Sequence, residues 1–132
     1  MIVYFILLIL VLFTYILSKK ILLIAQAYNI LEDKHTKLFM ALKKREDYLL
    51  ETYKDDLELI GYYSDIHHNS NLSQRINEEL ELDSIDDEFD ELTNEARNLL
   101  KDYNDECDNF DSIKKQYPLL YKLQNYIDYT KY

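Results

Sequence analysis

Met1–Ser18 reads MIVYFILLILVLFTYILS, in which only Thr14 and Ser18 are clearly polar. As an α-helix this stretch rises about 27 Å, close to the ~30 Å hydrocarbon core of a bilayer. Lys19 and Lys20 follow, and their stems can carry the ammonium groups up to the headgroups. Tyr4 and Tyr15 lie towards the two ends, where amphipathic rings suit the membrane–water interface. The residues therefore predict a transmembrane anchor over 1–20, held in the lipid bilayer through residues 1–18. Two other readings fit less well. Ala25-Gln26-Ala27 resembles a signal-peptidase box, but two lysines separate it from the apolar run and no base precedes that run. A buried core helix would need a domain large enough to cover all its sides. Lys19, Lys20, Lys34 and Lys37 follow the span and no basic side chain precedes it. The positive-inside rule then puts the N-terminus outside the cell membrane and the rest of the chain, single-pass, in the cytoplasm.

Outward from this segment, 132 residues leave room for one modest domain. The whole chain has one Gly and one Pro, too few for the turns of an all-β or α/β fold. The class is therefore all-α. The single Cys excludes an internal disulfide and a cysteine zinc site. A net charge of −10 argues against nucleic acid as a partner, since that grip needs basic patches. The charge is graded: residues 19–62 hold eight bases and eight acids, whereas 63–132 hold seven bases and seventeen acids.

From Ile24 apolar residues recur at helical spacing: Ile24, Tyr28, Leu31, Leu38, Leu42, Leu49, Tyr53, Leu57 and Ile60. His35 and Arg45 fall at or beside this stripe. No Pro or Gly intervenes before Gly61, so a first long helix is expected over about 21–62 with Gly61 as its cap. Ser64, Asp65, Asn69, Ser70 and Asn71 predict a loop at 63–71, and Leu72, Ile76 and Leu80 a short helix at 72–82. Ile85, Phe89, Leu92, Ala96, Leu99, Tyr103, Phe110 and Ile113 form a heptad seam on a second long helix over about 84–117. Ser84 followed by Asp87 resembles a capping box, and Pro118 should end the helix. Neither stripe can be buried alone, and an antiparallel hairpin buries both. The tail, 118–132, suits a last short helix with Pro118 in its first position. If Ile60 and Ile85 close the hairpin, facing residues have numbers adding to about 145. Leu42 would then meet Tyr103, Tyr53 would meet Leu92, and Tyr28 would meet Tyr117. Arg45 would lie near Asp102, and Arg97 near Asp47 or Glu51.

Several strings fall in one order: an N-terminal span, Ala27-Tyr28-Asn29-Ile30-Leu31, and Ala41-Leu42-Lys43-Lys44-Arg45-Glu46-Asp47-Tyr48-Leu49, followed by Ala96-Arg97, Asp102-Tyr103-Asn104, Phe110 and Tyr117-Pro118. This resembles the LemA family, over most of 1–118 outside the middle loop. The family usually follows its Asp-Leu with Ile-Pro-Asn-Leu-Val; here Leu49-Leu50-Glu51-Thr52-Tyr53 stands without proline. Leu38-Phe39 stands where the family often has Trp, and Lys44 replaces the first Arg of a pair. The resemblance implies a membrane-anchored helical bundle of the bacterial envelope, and it offers no catalytic residues to carry over.

The residues give little chemistry. Glu32-x-x-His35 and Asp65-x-x-His68 have the acid–His spacing of carboxylate-bridged metal sites. With acids this abundant the spacing is expected by chance, and the companion glutamates do not stand at matching places. Cys107, near the second seam, reads as a small buried hydrophobe rather than a nucleophile. Tyr28-Asn29 and Tyr103-Asn104 read as half-buried rings with an Asn bonding a neighbour. Glu78–Asp111 carries fifteen acids and two bases, a solvated face or a docking surface for a basic partner. The calcium-loop pattern is absent, and so are phosphate-loop and hydrolase motifs. No catalytic, cofactor-binding or metal residue is assigned. The expectation is a non-enzymatic protein that works by association with protein partners. The alternative is a membrane-anchored coiled-coil scaffold that self-associates through its stripes.

Overall fold

The computed structural model describes residues 1–68, 71–82 and 84–132. Among these residues the chain is all-α, with α1 at Ile2–Thr52, α2 at Leu57–His67, α3 at Leu72–Leu80, α4 at Asp87–Gln116 and α5 at Pro118–Lys122. The main packing joins α1 to α4 as an antiparallel pair. Helix α1 is one continuous rod of 51 residues, about 77 Å long. Its first eighteen residues are almost wholly bare. It is long and apolar enough near its N-terminus to cross a membrane. The bundle begins just beyond, where the Lys20 ammonium lies 5.2 Å from the centre of the Tyr117 ring.

Both stripes bury against each other within the one chain. Ile24, Leu31 and Leu38 on α1 close over Tyr103, Cys107 and Phe110 on α4. Ala41 and Ala96 come together further along, and Leu49 and Phe89 pack at the far end. The register differs from the expected one. Tyr28 faces Phe110, His35 faces Tyr103, Arg45 bonds Thr93 and Leu49 packs with Phe89; in each pair the numbers add to 138. The difference from 145 is one heptad. A heptad slip superposes each stripe on itself, so the seam residues were legible while their partners were not. Leu42 packs between the layer that holds Tyr103 and the Ala41–Ala96 layer, while His35 takes the place facing Tyr103. Tyr53 joins Leu49, Tyr63 and Phe89, and Tyr117 meets Lys20 rather than Tyr28.

The expected helix over 21–62 ends instead at Thr52. Asp86, the residue that caps α4, stands opposite, and both Tyr48 and Tyr53 donate hydroxyl hydrogen bonds to its carboxylate. Beyond that point α1 would have no partner, and a stripe without one cannot sustain a helix in water. The chain turns at Tyr53–Asp56 without proline. Asp56 then starts α2 by accepting the Leu59 N–H at 3.1 Å, as N-cap aspartates do. Gly61 is inside α2 rather than at a cap, and its φ is not positive. Much of the expected loop at 63–71 is therefore helix; Asn69 and Ser70 lie outside the described residues. Asp86, not Ser84, caps α4, accepting the Phe89 N–H at 2.7 Å. Ser84 donates to Asp90 instead. Pro118 opens α5 as expected, but that helix stops at Lys122.

Candidate functional site

Three features gather side chains capable of more than packing. The first lies under the C-terminal tail. After α5 the chain runs back along the seam as an extended strap that covers the half of the hairpin nearer the apolar end. Tyr126 stacks on Tyr28 with ring centres 4.3 Å apart. His35 sits in a box of Phe39, Tyr103, Tyr129 and Tyr132, and its Nε2 lies 3.2 Å from the Tyr132 hydroxyl. Asn104 clamps the end of the strap, donating to the Tyr132 carbonyl at 3.2 Å and accepting its N–H at 3.0 Å. Tyr103 donates to the Thr130 carbonyl at 2.7 Å, and Lys131 reaches Asp108 at 2.7 Å. Burial lowers the pKa of His35 below its usual value, because a charged imidazole among rings loses hydration. The bonding Asn expected of Tyr103-Asn104 is present, but the Tyr103 ring, expected to be half-buried, is fully buried. In Tyr28-Asn29 the ring is half-buried and Asn29 is exposed.

The second feature is a buried polar knot at the other end of the seam. Arg45, only 2 % exposed, donates to Thr93 Oγ1 at 2.8 Å and to the Glu79 carbonyl at 2.6 Å, with Phe89 under its guanidinium. It does not meet Asp102, which pairs with Lys34 at 3.9 Å. Arg97 donates to the Leu80 carbonyl rather than reaching Asp47 or Glu51; Asp47 pairs with Lys43. Two arginines from different helices thus cap the end of α3, whose last carbonyls lack the i+4 partners of a helix interior; that of Glu79 takes a long bond from the Leu82 N–H, at 3.4 Å. The Glu79 side chain turns inward, 3.4 Å from His67 Nδ1 and 4.0 Å from Arg75 Nε. Burial pushes its carboxyl above the usual carboxylate value, against the pull of His67, Arg75 and Arg45. Glu79 is thus the exception among the described acids of 78–111: it is buried, while Asp87, Glu88 and Asp90 occupy the first turn of α4, where the helix dipole favours them.

The third is Cys107, buried against the strap side of the seam. Burial raises its pKa, so the thiolate needed for nucleophilic work is scarce at neutral pH. The two acid–His spacings do not assemble into a site. His35 faces the rings, and His68 bonds back to the Ser64 carbonyl of its own helix. Among the described residues no three His, Cys, Asp or Glu side chains converge to hold a metal ion. Compared with protein-family models, with curated proteins and with solved structures, the chain gives no match.

Of these residues, Arg45 and His35 announced themselves as polar breaks in an apolar stripe. Glu79 did not, being one acid in an acidic run. The strap carried a weak signal, its apolar and aromatic residues Tyr126, Ile127, Tyr129 and Tyr132 beyond the last helix.

Proposed function

We propose that this is a membrane-anchored, LemA-like helical-bundle protein of the bacterial envelope that acts by association with other proteins rather than by catalysis. Residues 1–18 would cross the cell membrane once, with the N-terminus outside and the bundle in the cytoplasm. The observation that carries this reading is the division of α1. Its first eighteen residues expose apolar side chains all round, while from Ile24 onward the same helix is buried by α4 of its own chain. The coiled-coil scaffold is less favoured because both stripes are already occupied within one chain, leaving no continuous apolar seam for a second copy among the described residues of the bundle.

Two measurements test the reading. Protease added to intact cells should leave residues 24–132 uncut; full digestion of the bundle from outside would refute the orientation. The mass of the detergent-solubilised full chain, by light scattering with a refractive-index detector, should correspond to one copy. A stable dimer held through the stripes would favour the scaffold.

A further inference from the structure

Residues 1–31 and 112–127 contain no acid, in a chain with 25 of them, and they carry five bases: Lys19, Lys20, Lys114, Lys115 and Lys122. The fold brings these two acid-free segments to the same end of the bundle, since Lys20 meets Tyr117 and Tyr126 stacks on Tyr28. Helix α5 is thereby confined to a slab between the levels of Lys20 and Tyr28, about 12 Å deep. Within that slab α5 turns Leu120 and Tyr121 onto the core and leaves Leu119 and Leu123 76 % and 81 % exposed. On α1, Leu22 and Leu23 are exposed at the same level. Exposed leucines from two elements stand on segments whose only charged residues are lysines, with Asp111 and Asp128 at the edge and Asp128 paired to Lys114, and make a surface that is apolar and basic at once. The interfacial layer of a bilayer has that preference: apolar side chains enter it by about 5–10 Å, and lysines meet lipid phosphates.

We propose that this end of the bundle is a second membrane contact, resting on an anionic bilayer surface with Leu119 and Leu123 in the headgroup layer and Lys115 and Lys122 against lipid phosphates. The inference depends on the reading of residues 1–18 as a span, and it adds that the base of the bundle sits in the headgroup layer instead of standing clear of it.

The test uses the full chain with Cys107→Ala and one new cysteine carrying the same fluorophore, reconstituted in phosphatidylcholine vesicles with or without phosphatidylglycerol. Labels at Leu119→Cys and Leu123→Cys should be quenched by lipid-borne nitroxide and shielded from iodide present on both sides. A label at Leu57→Cys, equally exposed at the other end of the bundle, should show the reverse. Replacing Lys115→Gln and Lys122→Gln should shift the surface-contact equilibrium in anionic vesicles by roughly fivefold per lysine, read as weaker lipid quenching. A label at Ile9→Cys separates the two readings. If it is lipid-quenched while the labels at 119 and 123 are as open to iodide as the one at 57, the second contact is wrong and the span stands. If the Ile9 label is not lipid-quenched, the span fails and this inference fails with it. Protection of 119 and 123 by dimer formation without lipid quenching also overturns the proposal.

Discussion

At the scale of single residues, Arg45 ties the most elements together. It leaves α1, crosses the seam to Thr93 on α4 and ends on the last turn of α3. A buried guanidinium removed from such a knot leaves a carbonyl, a hydroxyl and the Glu79 carboxyl with fewer partners, which costs far more than an exposed ion pair. Arg45→Ala should therefore destabilise the bundle by about 3 kcal/mol, read as a loss of denaturant midpoint by circular dichroism; a loss within the range of surface substitutions would mean the knot is dispensable. His35 gives a pH signature. Its folded pKa is depressed, so the unfolded chain binds the proton more readily, and stability contributed by neutral His35 is present above the ordinary histidine value and lost as pH falls below it. Glu79, with a raised pKa, works in the opposite sense, its contribution fading as pH rises through its folded value. The useful quantity is accordingly a difference. Between pH 7.5 and 5.5 the parent should lose more stability than His35→Phe, and parallel pH profiles would remove His35 from the strap's energetics.

At the scale of elements, α2 carries a glycine without a use. Gly61 lies in a helix interior with ordinary φ, and a Cβ there would meet nothing within 4 Å. Gly61→Ala should stabilise the protein by roughly 0.5–1 kcal/mol, seen as a raised midpoint; destabilisation would show that the helix does not run through this position. The strap makes a second test. Deleting residues 125–132 uncovers one side of the layer formed by Tyr28, His35, Tyr103 and Cys107, so thiol labelling of Cys107, slow in the intact fold, should accelerate several-fold. Unchanged labelling would show that the thiol is shielded by the two long helices alone. Helix type and seam residues could be read from the sequence because they depend on local periodicity, as at Leu31, Leu38, Phe89 and Ala96. Three features could not be read because each depends on a remote partner. Helix α1 stops where Asp86 stands opposite, α3 is capped by arginines from α1 and α4, and the strap takes its path from Asn104 and His35.

At the scale of the whole molecule, a bare apolar rod runs into a bundle whose two ends differ in charge. The end next to the rod has five bases and no acid in residues 1–31 and 112–127, so the remaining residues, with ten bases and 25 acids, are strongly negative. Such a polarity keeps one end compatible with an anionic surface and repels the other from it. All of this depends on which residues of α1 and α4 are brought level, and the register was the part that sequence reasoning placed one heptad away. The most direct measurement is therefore a cross-link that reads register and chain identity together. In the Cys107→Ala background, cysteines at Lys34 and Asp102, whose native side chains approach to 3.9 Å, should be joined rapidly within one chain by a short bifunctional maleimide. Cysteines at Lys34 and Asp111, a pair that the slipped register would bring level, should react slowly. Efficient joining of Lys34 to Asp111, or products formed only between chains, would contradict the single-chain hairpin on which the account rests.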